Sequence, residues 1–158
     1  MFDKFGEFDS IEEMNKVAAD LKSKQDVQML YELTKENGLD IADADDYMAG
    51  YVNELATSMS AAIGKINIEA DNLKGLVEDW KNQIIQLCTE DKELCIAVRR
   101  KGKSLAECMA KLLKYSFDKK VKLDDRIVTS AGLKPPVYLG IPGKAEVRKI
   151  ICEYYLEK

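Results

Sequence analysis

An all-α fold is predicted for this 158-residue chain by three observations. Apolar residues recur at three- and four-residue spacing along most of the chain, side chains suited to helix N-caps stand before those stretches, and glycine or proline follows them. Seven or eight helices in one domain spanning 1–158 are expected, with a short extended segment near 137–139.

Ser10 and Glu13 have capping-box spacing, and Ile11, Met14, Val17, Ala18 and Leu21 follow in phase, so a first helix is expected over about 10–22. A second runs from Asp26 to Asn37 and ends at Gly38–Leu39 in the manner of a Schellman motif. A third starts within "DIADADDY", carries Met48, Val52, Leu55, Met59 and Ile63 toward the core and stops near Gly64, with "KINIEA" as a possible extended piece. The clearest stripe, Leu73, Leu76, Val77, Trp80, Ile84, Leu87 and Cys88, predicts a central helix anchored by Trp80.

Helices from Asp91 to Lys101, from Leu105 to about Lys119 and from Asp125 to Ala131 come next, the last one ended by Gly132, Pro135 and Pro136. Leu105, Cys108, Met109, Leu112, Leu113 and Phe117 are expected to form one buried face. A final helix begins near Pro142 or Gly143 and buries Val147, Ile150, Ile151 and Tyr154, and of Tyr154 and Tyr155 at most one is expected to be fully buried.

Composition excludes several chemistries. The chain has no histidine, the commonest general base. Cys88, Cys95, Cys108 and Cys152 show no C-x-x-C pairing, so reduced thiols in the core are expected rather than a zinc site. The stretch "AVRRKGKSLA" at 97–106 ends like a phosphate loop, but its first glycine is replaced by Ala97 and helix, not strand, precedes it. It reads instead as a helix stop at Gly102 and a restart at Ser104, which has capping-box spacing to Glu107. Tyr47 stands where an EF-hand loop needs an oxygen ligand. No enzyme activity, cofactor or metal is expected.

The net charge of −4 conceals a division. Residues 1–79 hold 18 acids and 7 bases, net −11, and residues 80–158 hold 10 acids and 17 bases, net +7. Arg99, Arg100, Lys101, Lys103, Lys144, Arg148 and Lys149 are the candidate basic binding face, with plain surface solubility as the alternative. Asp40, Asp43, Asp45 and Asp46 are the candidate acidic patch, read either as helix-dipole complements or as a mimic of a nucleic-acid backbone. The acidic start "MFDKFGEFDS" and the absence of an apolar run approaching roughly 18 residues predict a cytoplasmic protein with no membrane partner.

"FGEFDS", "EDW" at 78–80, "AVRRKGKSLAECMAKLLKYSF" and "LGIPGKAEVRKIICEYY" together resemble a family of short proteins carried on conjugative elements and prophages of gut bacteria. The resemblance implies a small accessory protein of a mobile genetic element. By that context it suggests an anti-CRISPR inhibitor of a CRISPR nuclease. The expectation is therefore a non-enzymatic binding protein that docks on nucleic-acid-handling machinery. The alternative is a direct nucleic-acid-binding factor for conjugative transfer or replication, with oligomeric state open.

Overall fold

The computed structural model describes residues 2–157, which contain nine helices and two short strands. In order these are α1 (Ile11–Ser23), α2 (Val27–Glu36), α3 (Ile41–Ala49), α4 (Ser58–Glu69), α5 (Leu76–Glu90), α6 (Lys92–Arg99), α7 (Leu105–Asp118), β1 (Val121–Lys122), α8 (Asp125–Ser130), β2 (Tyr138–Leu139) and α9 (Lys144–Leu156). The predicted all-α class is the observed one.

The caps lie where the side chains place them. Ser10, Asp26, Asp91 and Ser104 each accept from a backbone N–H of the first turn of the helix they precede. The expected third helix is two helices. Gly50, left-handed at φ +81°, stops α3, and Thr57 and Ser60 form the capping box that restarts the chain as α4. The interruption resets the helical phase, so Leu55 is buried while Val52 and Met59 turn outward. "KINIEA" is the end of α4 and not an extended piece. Likewise, Gly75 delays the start of α5 to Leu76, which leaves Leu73 and Leu76 exposed instead of in the core. The extended segment is β2, paired antiparallel with β1, Val121 opposite Leu139.

Two apolar clusters form the interior. One gathers the N-terminal segment and α1–α3 around Met14, Leu30, Leu33 and Tyr47. The other gathers α4–α7 and α9 around Trp80, Ile84, Leu94, Leu112 and Ile151. Helix α4 belongs to both, with Ala61 in the first cluster and Ala62 and Ile66 in the second. The helix can do this because glycine faces glycine where α2 ends: a Cβ on Gly64 would lie 2.4 Å from the Asn37 carbonyl oxygen, and one on Gly38 would lie 2.4 Å from that of Gly64. Tyr154 and Tyr155 are both buried, against expectation. They meet edge to face at 4.7 Å, and the Tyr154 hydroxyl donates to Glu107 and accepts from the Ser104 N–H, which satisfies it inside the fold.

Candidate functional site

The stretch at 99–103 turns the Arg99 side chain and the backbone carbonyls of Arg100 and Lys103 inward. Lys65 of α4, 2 % exposed at its side chain, donates to Glu7 Oε1 at 2.5 Å. It also donates to the carbonyls of Arg100 at 2.9 Å and Lys103 at 2.6 Å. Three acceptors for three N–H donors is what a buried ammonium requires, and the carbonyls around Gly102 are thereby satisfied. Glu69, one helical turn after Lys65, accepts from the Leu105 N–H at 2.6 Å, and burial holds its carboxyl above the ordinary carboxylate range.

Arg99 does not belong to a surface. It is 2 % exposed, donates to Asn37 Oδ1 at 2.9 Å, and lies 5.9 and 5.8 Å from the Phe2 and Phe8 rings, within cation–π range. Burial lowers its pKa, while the charges of Glu7, Glu69 and Glu13 oppose that shift. Arg99 thus ties α6 to the end of α2.

The remaining predicted basic residues are dispersed. The Lys103 ammonium donates to the carbonyls of Tyr154 at 2.6 Å and Glu157 at 3.3 Å, at the C-terminal end of α9. Lys144 begins α9, about 20 Å away at 1.5 Å per residue. Arg148 donates to Glu90 at 2.6 Å. Lys149 lies near Glu146 and Glu153, and Arg100 and Lys101 are exposed at the helix junction. The seven residues do not form one face.

The acidic residues stay together. Asp40 caps α3 by accepting from the Ala42 N–H, and Asp43 accepts from the Asp40 N–H in return. Asp45 accepts from the Tyr31 hydroxyl, which raises the tyrosine pKa. Asp43 and Asp46 line an open cleft of about 600 Å³ with Glu54, Thr57 and Ser60. None of the four aspartates forms an ion pair among the described residues, and no base occurs between Lys35 and Lys65.

A different surface was missed by sequence reasoning. Leu113 and Phe117 of α7, expected in the core, are 54 % and 61 % exposed. At about 100° per residue they point about 100° and 140° away from buried Leu112, too far round the helix to share its face. That arithmetic was the available signal. Helices α4, α5 and α9 cover only the side of α7 that carries Leu105, Cys108 and Leu112.

The chain after α7 extends this surface. Gly140 backs the strand pair onto the end of α7, where a Cβ would meet the Ser116 carbonyl oxygen at 2.1 Å. Val121 and Leu139, opposite each other and therefore on one face of the pair, are both exposed. So are Ile127, Leu133, Tyr138 and Ile141. Lysines surround these side chains. Asp124 is neutralised by Arg126 and Asp125 by Lys122, which leaves Lys114, Lys119, Lys120 and Lys134 against Asp118 alone. Lys120 lies 4.4 Å over the Phe117 ring. Beside α7 the surface continues into an open groove of about 350 Å³ lined mainly by Leu73, Val77, Trp80, Met109, Ala110 and Leu113.

The thiols offer little nucleophilic chemistry. Cys88, Cys95 and Cys108 are buried and unpaired, and burial pushes Cys108 up to about 12 and the other two above the ordinary thiol range. Among the described residues no group of three or more acidic or thiol side chains is placed to hold a metal ion. No helix among them is long and apolar enough to cross a membrane. No protein-family model, curated protein or solved structure matches the chain.

Proposed function

We propose that this protein is a non-enzymatic binding protein that docks on nucleic-acid-handling machinery through the lysine-ringed apolar surface of residues 113–141. The observation that carries the reading is that surface: Leu113 and Phe117 on the outer side of α7, and Val121 and Leu139 on one face of the strand pair that Gly140 backs onto it, all stand in water. Exposed apolar area of that extent, ringed by charge, marks protein interaction sites. The charge division adds support for the class of partner. An acidic half with uncompensated carboxylates on α3 suits a basic, nucleic-acid-binding groove. A CRISPR nuclease is the partner that the resemblance suggests. Direct nucleic-acid binding is the weaker reading, because Arg99, Lys103 and Arg148 are committed to internal or ion-paired roles.

The test is a pull-down from a bacterial host lysate with and without nuclease treatment, using the native chain and the Phe117→Asp/Ile141→Asp variant. One protein retained after nuclease treatment and lost with the variant is the expected outcome. Loss of all bound material on nuclease treatment would transfer the function to nucleic acid, and retention by the variant would remove this surface from it.

A further inference from the structure

We infer that the groove between α7 and the start of α5 receives an acidic amphipathic helix of a partner protein. The inference rests on the docking function proposed above and names the occupant of one part of that surface.

The groove has the form that helix-in-groove recognition needs. On α7 the outward apolar positions are Ala106, Ala110, Leu113 and Phe117, spaced four, three and four residues apart over about 16 Å. A partner helix with apolar residues at i, i+4, i+7 and i+11 presents a matching row. The two alanines leave room for its backbone at one end, and Phe117 supplies contact area at the other. Trp80, 3 % exposed, helps to line the groove without filling it.

Charge at the Phe117 end of the groove selects the sign of the helix segment that lies there. Glu69 lines the groove but is held by Lys65 and the Leu105 N–H, and Glu107, exposed on α7, accepts from the Tyr154 hydroxyl. Glu78 and Asp79 lie in the first turn of α5, where they complement its dipole. Toward the Phe117 end, Lys114, Lys119 and Lys120 stand with a single acid, Asp118, and Lys120 lies over the Phe117 ring. Acidic residues on the partner helix would lie over these lysines, and basic ones would be repelled.

The same features weigh against other occupants. A second copy in a two-fold contact would bring lysines against lysines. Nucleic acid has no use for Leu113, Val121, Leu139 and Ile141, which offer neither stacking planes nor donors. An anionic bilayer matches the lysines but cannot enter a concave groove lined by Trp80.

Trp80 is the only tryptophan, so its emission reports occupation of the groove. The probe is a synthetic peptide on the order of 15 residues, without aromatic residues, with leucines at the stated spacing and glutamates elsewhere. Its control has lysine in place of every glutamate. The expected result is a saturable shift of Trp80 emission with the acidic peptide alone. Affinity should fall about tenfold or more in Leu113→Glu and Ala110→Arg, and fall further with added salt. Both substitutions are at exposed positions, and an unchanged circular dichroism melt confirms folding. Absence of a saturable shift, or an equal response to the lysine peptide, overturns the inference. Vesicles rich in phosphatidylserine that shift the emission and sediment the protein also overturn it, in favour of a lipid surface. If the pull-down partner is lost with Phe117→Asp/Ile141→Asp but kept with Leu113→Glu, the docking function stands and the groove is removed from it.

Discussion

Lys65 and Glu7 meet at 2.5 Å between the N-terminal segment and the start of α7, with the lysine buried and the glutamate about a quarter exposed. The pair closes the polar junction between the two apolar clusters. Replacing Lys65 by Met deprives the Arg100 and Lys103 carbonyls of their donor and leaves Glu7 without its cation, a loss of about 3–5 kcal/mol. Glu7→Gln costs less, because an amide oxygen still accepts the hydrogen bond at a partly hydrated position. A urea-denaturation cycle should show about 1–3 kcal/mol of coupling between the two sites. Additive effects would mean that the ammonium is held by the carbonyls alone.

Glu69 sets a pH dependence of the opposite sign to that of the surface carboxylates. Burial raises its folded value, with the Leu105 N–H and Lys65 opposing the shift. The folded state therefore binds the proton more tightly than the unfolded chain. Its contribution to stability is complete below the unfolded value and declines as pH rises from there through the folded value. Subtracting the pH–stability curve of Glu69→Gln from that of the native chain should leave this decline. A difference curve that rises over the same interval would show that hydrogen bonding outweighs burial at this site.

Gly64→Ala separates packing from helix propensity. Within a helix, alanine is favoured over glycine by about 1 kcal/mol. Here the added methyl would lie 2.4 Å from the Asn37 carbonyl oxygen, a backbone atom with little freedom to retreat. Net destabilisation of about 1–3 kcal/mol is expected, with a lowered melting temperature. Stabilisation would mean that α2 and α4 separate without cost.

Local signals carried most of the fold. Ser10 and Ser104 were legible as caps because the hydrogen bond runs from a backbone N–H only three residues away. The break at Gly50 was not read, because Met48, Leu55 and Ile63 hold a plausible helical phase across it. The extended segment near 137–139 was legible, but its pairing with Val121–Lys122 was not, since Val121 and Leu139 meet only through a long-range contact. For the candidate site the difficulty was greater. Charge at Arg99 and Lys103 says nothing about direction, and both turn inward to acceptors at Asn37 and Tyr154 that lie far away in sequence. Leu113 and Phe117 were absorbed into a core stripe that already had enough members to fill one helix face.

The cysteines should label in a fixed order. Cys152 is half-buried, whereas Cys88, Cys95 and Cys108 are buried, and burial raises the pKa of all four thiols. With a thiol-reactive disulfide reagent at neutral pH, Cys152 should react first and slowly, and the other three only when the chain opens. Mass-spectrometric mapping of the label identifies each site. Early labelling of Cys108 would place α7 in an open equilibrium with solvent.

Leu112 and Leu113 are neighbours with opposite roles, and the comparison tests the orientation of α7 on which the docking surface depends. Leu112 is fully buried in the larger cluster, so Leu112→Ala should cost about 2–5 kcal/mol. Leu113 is more than half exposed, so Leu113→Glu should change stability by no more than about 0.5 kcal/mol. The glutamate variant should also be more soluble at high concentration, because it interrupts an exposed apolar row next to Phe117. Chemical denaturation of the two variants measures both quantities. Equal destabilisation would mean that Leu113 packs against something inside the same chain, and neither the groove nor the outer stripe of α7 would then be open to a partner.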